Sequence, residues 1–221
     1  MNIYISIGAQ CTTPILFEKL LLKKESLPFD WMLSTPQFVY TILKLLLIDN
    51  KGIDDIIDTH FFACDKRAQL RKVEHHLSND DGTVLVNSRY NVCFPHDDIT
   101  DRDKYMRRME RFKQLLLEKD NFLHFVYVSV SSPDSGNYTI DGIEPIQQLY
   151  EYIEQINSIL KNIRNNYKII VFDTNKPSTI IPSDMVHLMY YDIEQKVWWE
   201  ELLPELIDKC NNLIQNKVIH R

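Results

Sequence analysis

Cys11 sits in ISIGAQCTTPILFEKL, residues 5–20, where two periodicities meet. Ahead of it, Ile3, Ile5 and Ile7 recur at every second position and run into Gly8, the pattern of a strand. Behind it, Thr12, Thr13 and Pro14 supply a hydroxyl cap and a first-turn proline, and an amphipathic run follows. A helix start carries unpaired N–H groups and the positive end of the macrodipole, which stabilise a thiolate, the nucleophilic form of cysteine. The same place also suits a buried cysteine that merely fills a tight turn. Gly8 and Gln10, between strand and helix, are candidate substrate-binding positions.

A nucleophilic cysteine needs a base. His96 follows the β-rich run VLVNSRYNVCF and stands beside Pro95, Asp97 and Asp98. If that run lies parallel to the first strand, His96 emerges at the same carboxyl edge of the sheet, where open α/β sheets bind ligands. Asp97 could then orient the imidazole, or could simply favour the positive end of the next helix. Asp30 is the other candidate orienting carboxylate. It lies in LPFDWMLS, residues 27–34, between Phe29 and Trp31, where a carboxylate needs a hydrogen-bonded or charged partner. The stretch also reads as a structural corner, with the aromatics as anchors and Asp30 as a cap.

Arg107, Arg108 and Arg111 recur at helical spacing behind Arg102. A pair on one face could clamp a phosphate, or form a solvated face with Glu110 and Glu118. The adjacent His75 and His76 would point apart on a helix, and no histidine–carboxylate motif has metal-ligand spacing, so no metal and no cofactor are expected. Neither a G-x-S-x-G elbow nor a glycine-rich phosphate loop occurs, in keeping with only 5 glycines among 221 residues.

These residues need a scaffold. Residues 2–8 read as a strand, Thr12 to about Lys24 as a helix, and 36–48 as a second helix opened by Ser34 or Thr35 with Pro36. Residues 49–80 are less legible: an acidic segment with Asp54, Asp55 and Asp58, then loop and a short helix. Residues 83–94 read as strand. Asp101 caps a long helix whose apolar stripe is Met106, Met109, Phe112, Leu115 and Leu116. NFLHFVYVSV, YKIIVFDTN and VHLMYYDI read as strands, 144–163 and 195–216 as helices. The later strands are near-continuous apolar runs, as in parallel sheets covered on both faces. The expectation is a single α/β domain over 1–221, three-layered and Rossmann-like, with a mostly parallel sheet of about five strands.

The net charge of −6 argues against nucleic acid as the main partner. The N-terminus reads as a strand rather than a signal peptide, and the apolar stretch near 38–48 is too short to span a bilayer. The 4 cysteines are widely spaced, without zinc or disulfide patterning, which suggests a reducing, cytoplasmic setting.

The order ISIGAQC, LPFDWMLS, a strand ending in FPHD, RRMERFKQLL and HFVYVSV resembles a family of papain-like cysteine peptidases, over roughly residues 3–175. The resemblance implies Cys11 as nucleophile and His96 as base, with Asp30 or Asp97 as orienting residue, acting on a peptide or amide. The family also resembles segments found beside glycosyltransferases, which would imply a nucleotide-sugar ligand held by the arginines. A non-catalytic interaction domain on the same scaffold is the third reading.

Overall fold

The computed structural model describes residues 1–8, 11–61, 70–74, 83–87, 90, 92–94, 101–128, 149–173, 184–190, 204–210 and 212. Four strands form a wholly parallel sheet: β1 (Asn2–Ser6), β5 (Phe122–Val128), β6 (Tyr167–Asp173) and β7 (Val186–Tyr190), in the order β1-β5-β6-β7. The register pairs Ile5 with Phe125 and Phe125 with Ile169. Beyond β1 the pairing continues for two residues, through Ile7 N–H to the Val126 carbonyl (3.0 Å) and Val128 N–H to the Gly8 carbonyl (3.2 Å).

Strand parity sorts the side chains onto two faces. Ile5, Ile7, Phe125, Tyr127, Ile169 and Val171 join the larger core, with helices α2 (Pro36–Leu47), α4 (Arg102–Leu117) and α5 (Leu149–Ile163). Val126, Val128, Ile170 and Phe172 join a second core with Leu16 and Phe17 of α1 (Thr12–Lys19), and with Leu206 and Cys210 of a helical segment over 204–210. β5 is buried on both faces, which is why FLHFVYV is an almost unbroken apolar run.

The helix starts follow their capping chemistry. Thr35 accepts a hydrogen bond from Phe38 N–H at 3.2 Å and Pro36 opens α2. Asp101 accepts from Lys104 N–H at 3.0 Å at the start of α4, and Tyr105, Met109, Phe112 and Leu116 of that helix are buried.

The described fold is α/β, as expected, with two corrections. Among the described residues the parallel sheet has four strands. Residues 83–94 are not one strand beside β1. They form β3 (Thr83–Asn87) and β4 (Val92–Phe94), which join β2 (Leu70–Glu74) in a separate antiparallel sheet of order β2-β3-β4. Four residues separate β3 from β4, and so short a link permits only antiparallel pairing, whereas a parallel pair needs a crossover of about a dozen or more. Tyr90 N–H to the Asn87 carbonyl, 3.3 Å, lies within this turn. Strand β2 falls in the stretch read as loop and short helix: LRKVE has little strand propensity, and pairing with β3 overrides it.

Two smaller differences concern helices. α1 stops at Lys19, because Leu21 takes a left-handed φ of +55° and the N–H groups of Leu22 and Lys23 both turn back to the Phe17 carbonyl. Between α2 and β2, a short α3 (Ile53–Ile56) runs into a π-helical turn over Ile57–Phe61.

The Thr35 hydroxyl both caps α2 and donates to the Tyr90 carbonyl at 3.1 Å, joining the helix start to the β3–β4 turn. Thr35→Ala should therefore lower unfolding free energy by about 1–2 kcal/mol in a urea titration, with the slope unchanged. An unchanged midpoint would contradict that joint role.

Candidate active site at the carboxyl end of the first strand

Cys11 is the N-cap residue of α1, with φ −60° and ψ −9°, and its carbonyl accepts from Ile15 N–H at 3.1 Å. The sequence pattern pointed to a threonine hydroxyl in the cap. The structure instead places Thr12 and Thr13 inside the helix, and Thr13 Oγ1 donates back to the Gly8 carbonyl at 2.8 Å. Pro14 has no N–H, so the four orphan donors of the helix start reduce to those of Cys11, Thr12 and Thr13. The Cys11 side chain is half-buried. Burial pushes its thiol above the ordinary value, opposed by a hydrogen bond to its own backbone, so it rests as neutral thiol at pH 7. The helix start does not by itself make a thiolate here.

Gly8 turns the chain with φ +125°, a conformation that side chains rarely adopt. Space forbids a side chain as well. A methyl group there would stand 2.9 Å from Tyr127 Cε2, 3.0 Å from Ser34 Oγ and 3.1 Å from the Ser34 carbonyl oxygen. The last residue of LPFDWMLS is thus pressed against the turn that leads to Cys11. Around this turn the hydroxyls of Ser6, Thr12 and Ser34 are buried and have no hydrogen-bond partner among the described residues. A hydroxyl so placed costs about 1–3 kcal/mol.

Asp30 is buried at 3% exposure. It accepts from Leu27 N–H at 2.9 Å and lies 3.8 Å from Lys23 Nζ, with Arg108 within electrostatic reach. Burial raises its carboxyl to about 6, against the lowering effect of the Leu27 N–H and the two cations. Lys23 also pairs with Glu18 at 3.0 Å and stands 4.1 Å from the centre of a Trp31 ring. Phe29 meets Phe38 of α2 and Phe112 of α4 edge to face. These contacts join Asp30 to the C-terminal end of α1, whereas Cys11 caps its N-terminal end.

The arginines divide. Arg111 donates to the Ser26 carbonyl at 3.1 Å and lies 3.6 Å from Glu25. Arg108 is buried, with its guanidinium 5.4 Å from the Tyr105 ring. Arg107 is exposed. Arg102 pairs with Asp54 and Asp58, and holds the Asp58 carboxyl below its usual range. Arg108 and Arg111 therefore face the corner around residues 25–30.

His96, Asp97 and Gln10 lie outside the described residues. The strand that precedes His96, β4, pairs antiparallel with β3 in the separate sheet, so the parallel pairing with β1 expected to bring His96 to the edge beside Cys11 does not occur. Two features went unseen in the sequence. In the sequence Ser34 is only an alternative to Thr35 as the residue that opens α2. His60, on the π-helical turn, is hydrogen-bonded to the Tyr90 hydroxyl, and Asn87 donates to the His60 carbonyl at 2.8 Å. A π-turn leaves no periodic trace in five residues, though such turns often mark functional places. Among the described residues no cluster could hold a metal ion, and no helix is long and apolar enough to cross a membrane.

A sequence family described as "Putative papain-like cysteine peptidase (DUF1796)" matches residues 2–175. Among curated proteins, "Uncharacterized protein R408" of Acanthamoeba polyphaga mimivirus is 27% identical over 147 residues, covering 55% of this chain and 62% of that protein. The chain thus spans less than two thirds of that relative's length. No solved structure matches.

Two predictions follow the geometry. Because the Asp30 carboxyl is raised by folding, its contribution to stability is full below about pH 4 and is lost as pH rises through about 6. Wild type should therefore lose roughly 3 kcal/mol relative to Asp30→Asn between pH 4 and 7, measured by urea unfolding at each pH; a flat difference would contradict the burial effect. Gly8→Ala combines an unfavourable φ with overpacking. It should destabilise by at least about 2 kcal/mol, visible as a lowered Tm, and wild-type stability in this variant would refute the close packing.

Proposed function

Because the chain belongs to this papain-like cysteine peptidase family, we propose that it is a cysteine-dependent hydrolase acting on a peptide or amide, with Cys11 as nucleophile. The observation that carries the reading is the placement of Cys11: half-buried, capping α1, directly beyond the carboxyl end of β1. Open α/β sheets bind their ligands at that edge. We read the layering as Rossmann-like, on the strength of hydrophobic clusters on both faces of the parallel sheet.

The resting neutral thiol makes a base necessary rather than optional. In the proposed reaction His96 takes the thiol proton as sulfur attacks the acyl carbon. A C–S bond forms and the carbonyl π-bond electrons move to oxygen. The N–H groups opening α1 meet that oxygen. Collapse of the intermediate expels the amine, which leaves with the proton from His96. Water then cleaves the thioester, returning the thiol and releasing the acid. Asp97, next to His96, is the proposed orienting carboxylate, since Asp30 already faces Leu27, Lys23 and Arg108. The expected setting is the reducing cytoplasm, which keeps Cys11 as a thiol.

Alkylation with iodoacetamide under native conditions, read by peptide mass spectrometry, tests the nucleophile. Burial pushes Cys210 up to about 12, so Cys11 should react at least about tenfold faster than Cys210. Its rate should climb with pH above neutrality, as expected of a resting thiol. His96→Ala should slow acylation of Cys11 by an activated ester by about a hundredfold. Equal labelling of Cys11 and Cys210 would sink the proposal.

A further inference from the structure

The motif LPFDWMLS does more than pack. Its corner, residues 25–31, is held by Asp30, Lys23, Arg111 and the T-shaped Phe29 contacts, and residues 32–34 then lead to the start of α2. Ser34, at the end of that lead, reaches the turn at Gly8 from a different part of the chain. Its hydroxyl is buried at 3% exposure and has no hydrogen-bond partner among the described residues. The neighbouring Thr35 hydroxyl, by contrast, is used twice, as cap and as donor. Capping therefore does not explain Ser34. Native structures leave few buried polar groups unpaired, and those that remain call for a reason, a functional role being one.

We propose that the Ser34 hydroxyl donates a hydrogen bond to the oxygen of the acyl group attacked at Cys11, beside the Thr12 and Thr13 N–H groups. This inference rests on the reading of Cys11 as nucleophile. Three facts meet in it. The first turn of α1 is short of donors, because Pro14 contributes none. Gly8 brings Ser34 against the backbone three residues ahead of Cys11, where a side chain would hold it away. The hydroxyl has no other described partner, so it can turn toward an incoming oxygen without breaking a bond. A peptide or ester carbonyl is the ligand chemistry that fits, since its oxygen gains charge as sulfur adds.

The test is acylation by p-nitrophenyl acetate, read as the stoichiometric burst of nitrophenolate above the Cys11→Ala background. Iodoacetamide alkylation runs in parallel, because displacement of iodide develops no oxyanion. Ser34→Ala should lower the acylation rate about ten- to a hundredfold, with alkylation of Cys11 within about twofold of wild type and Tm unchanged or raised. A structural hydroxyl would do the reverse, lowering Tm and leaving acylation intact. Ser34→Gly repeats the comparison if the alanine variant does not fold. Undiminished acylation in the folded variant would overturn the proposal. So would a parallel fall in acylation and alkylation, which would mean that Ser34 acts on the thiol. Absence of any Cys11-dependent burst or labelling in wild type would instead overturn the nucleophile reading on which this rests.

Discussion

The close approach of Gly8 and Ser34 is the constraint from which the candidate site follows. A chain leaving β1 must turn sharply to start α1 on one face of the sheet, while the entry to α2 reaches the turn beside Tyr127, whose parity puts it on the other face. Glycine satisfies both demands: it accepts φ +125°, and it leaves room for Ser34. The Gly8 carbonyl then receives Thr13 Oγ1 from α1 and Val128 N–H from β5. Sheet, helix and corner are thus tied at one residue, three positions before the cysteine.

The corner that delivers Ser34 is costly to build. It buries Asp30 and Arg108 and covers most of Lys23, and each charge must find compensation in a region of low polarity. Asp30 finds it in the Leu27 N–H and the two cations, Lys23 in Glu18 and the Trp31 ring. Such an arrangement adds little net stability, because desolvation of the charges offsets their attraction. Phe29, held between Phe38 and Phe112, contributes the favourable side, about 1.5–3 kcal/mol for burial of its ring. The polar set also explains where two of the helix arginines, Arg108 and Arg111, go: they face the corner.

Much of this was legible in the sequence. Thr35-Pro36 and Asp101 announced their helices through local capping chemistry, and FLHFVYV announced a strand buried on both faces. The junction of strand, glycine and cysteine could be read from alternation followed by a cap and a proline, although Cys11 itself took the cap position. What resisted reading depends on partners distant in the chain. LRKVE becomes a strand only because β3 lies beside it, and VLVNSRYNVCF divides because its two halves pair with each other. The destinations of Arg108 and Arg111 rest on contacts with residues some 80 positions away. Ser34 looked like one of two equivalent caps, and only the fold separates it from Thr35.

The most direct test is a crystal structure of the protein with a peptide aldehyde. A covalent bond between the aldehyde carbon and Cys11 Sγ is expected, with the resulting oxygen about 3 Å from Ser34 Oγ and from the first N–H groups of α1, and the His96 ring within about 4 Å of the sulfur. An aldehyde bound at another cysteine, or an oxygen turned away from the start of α1, would contradict it.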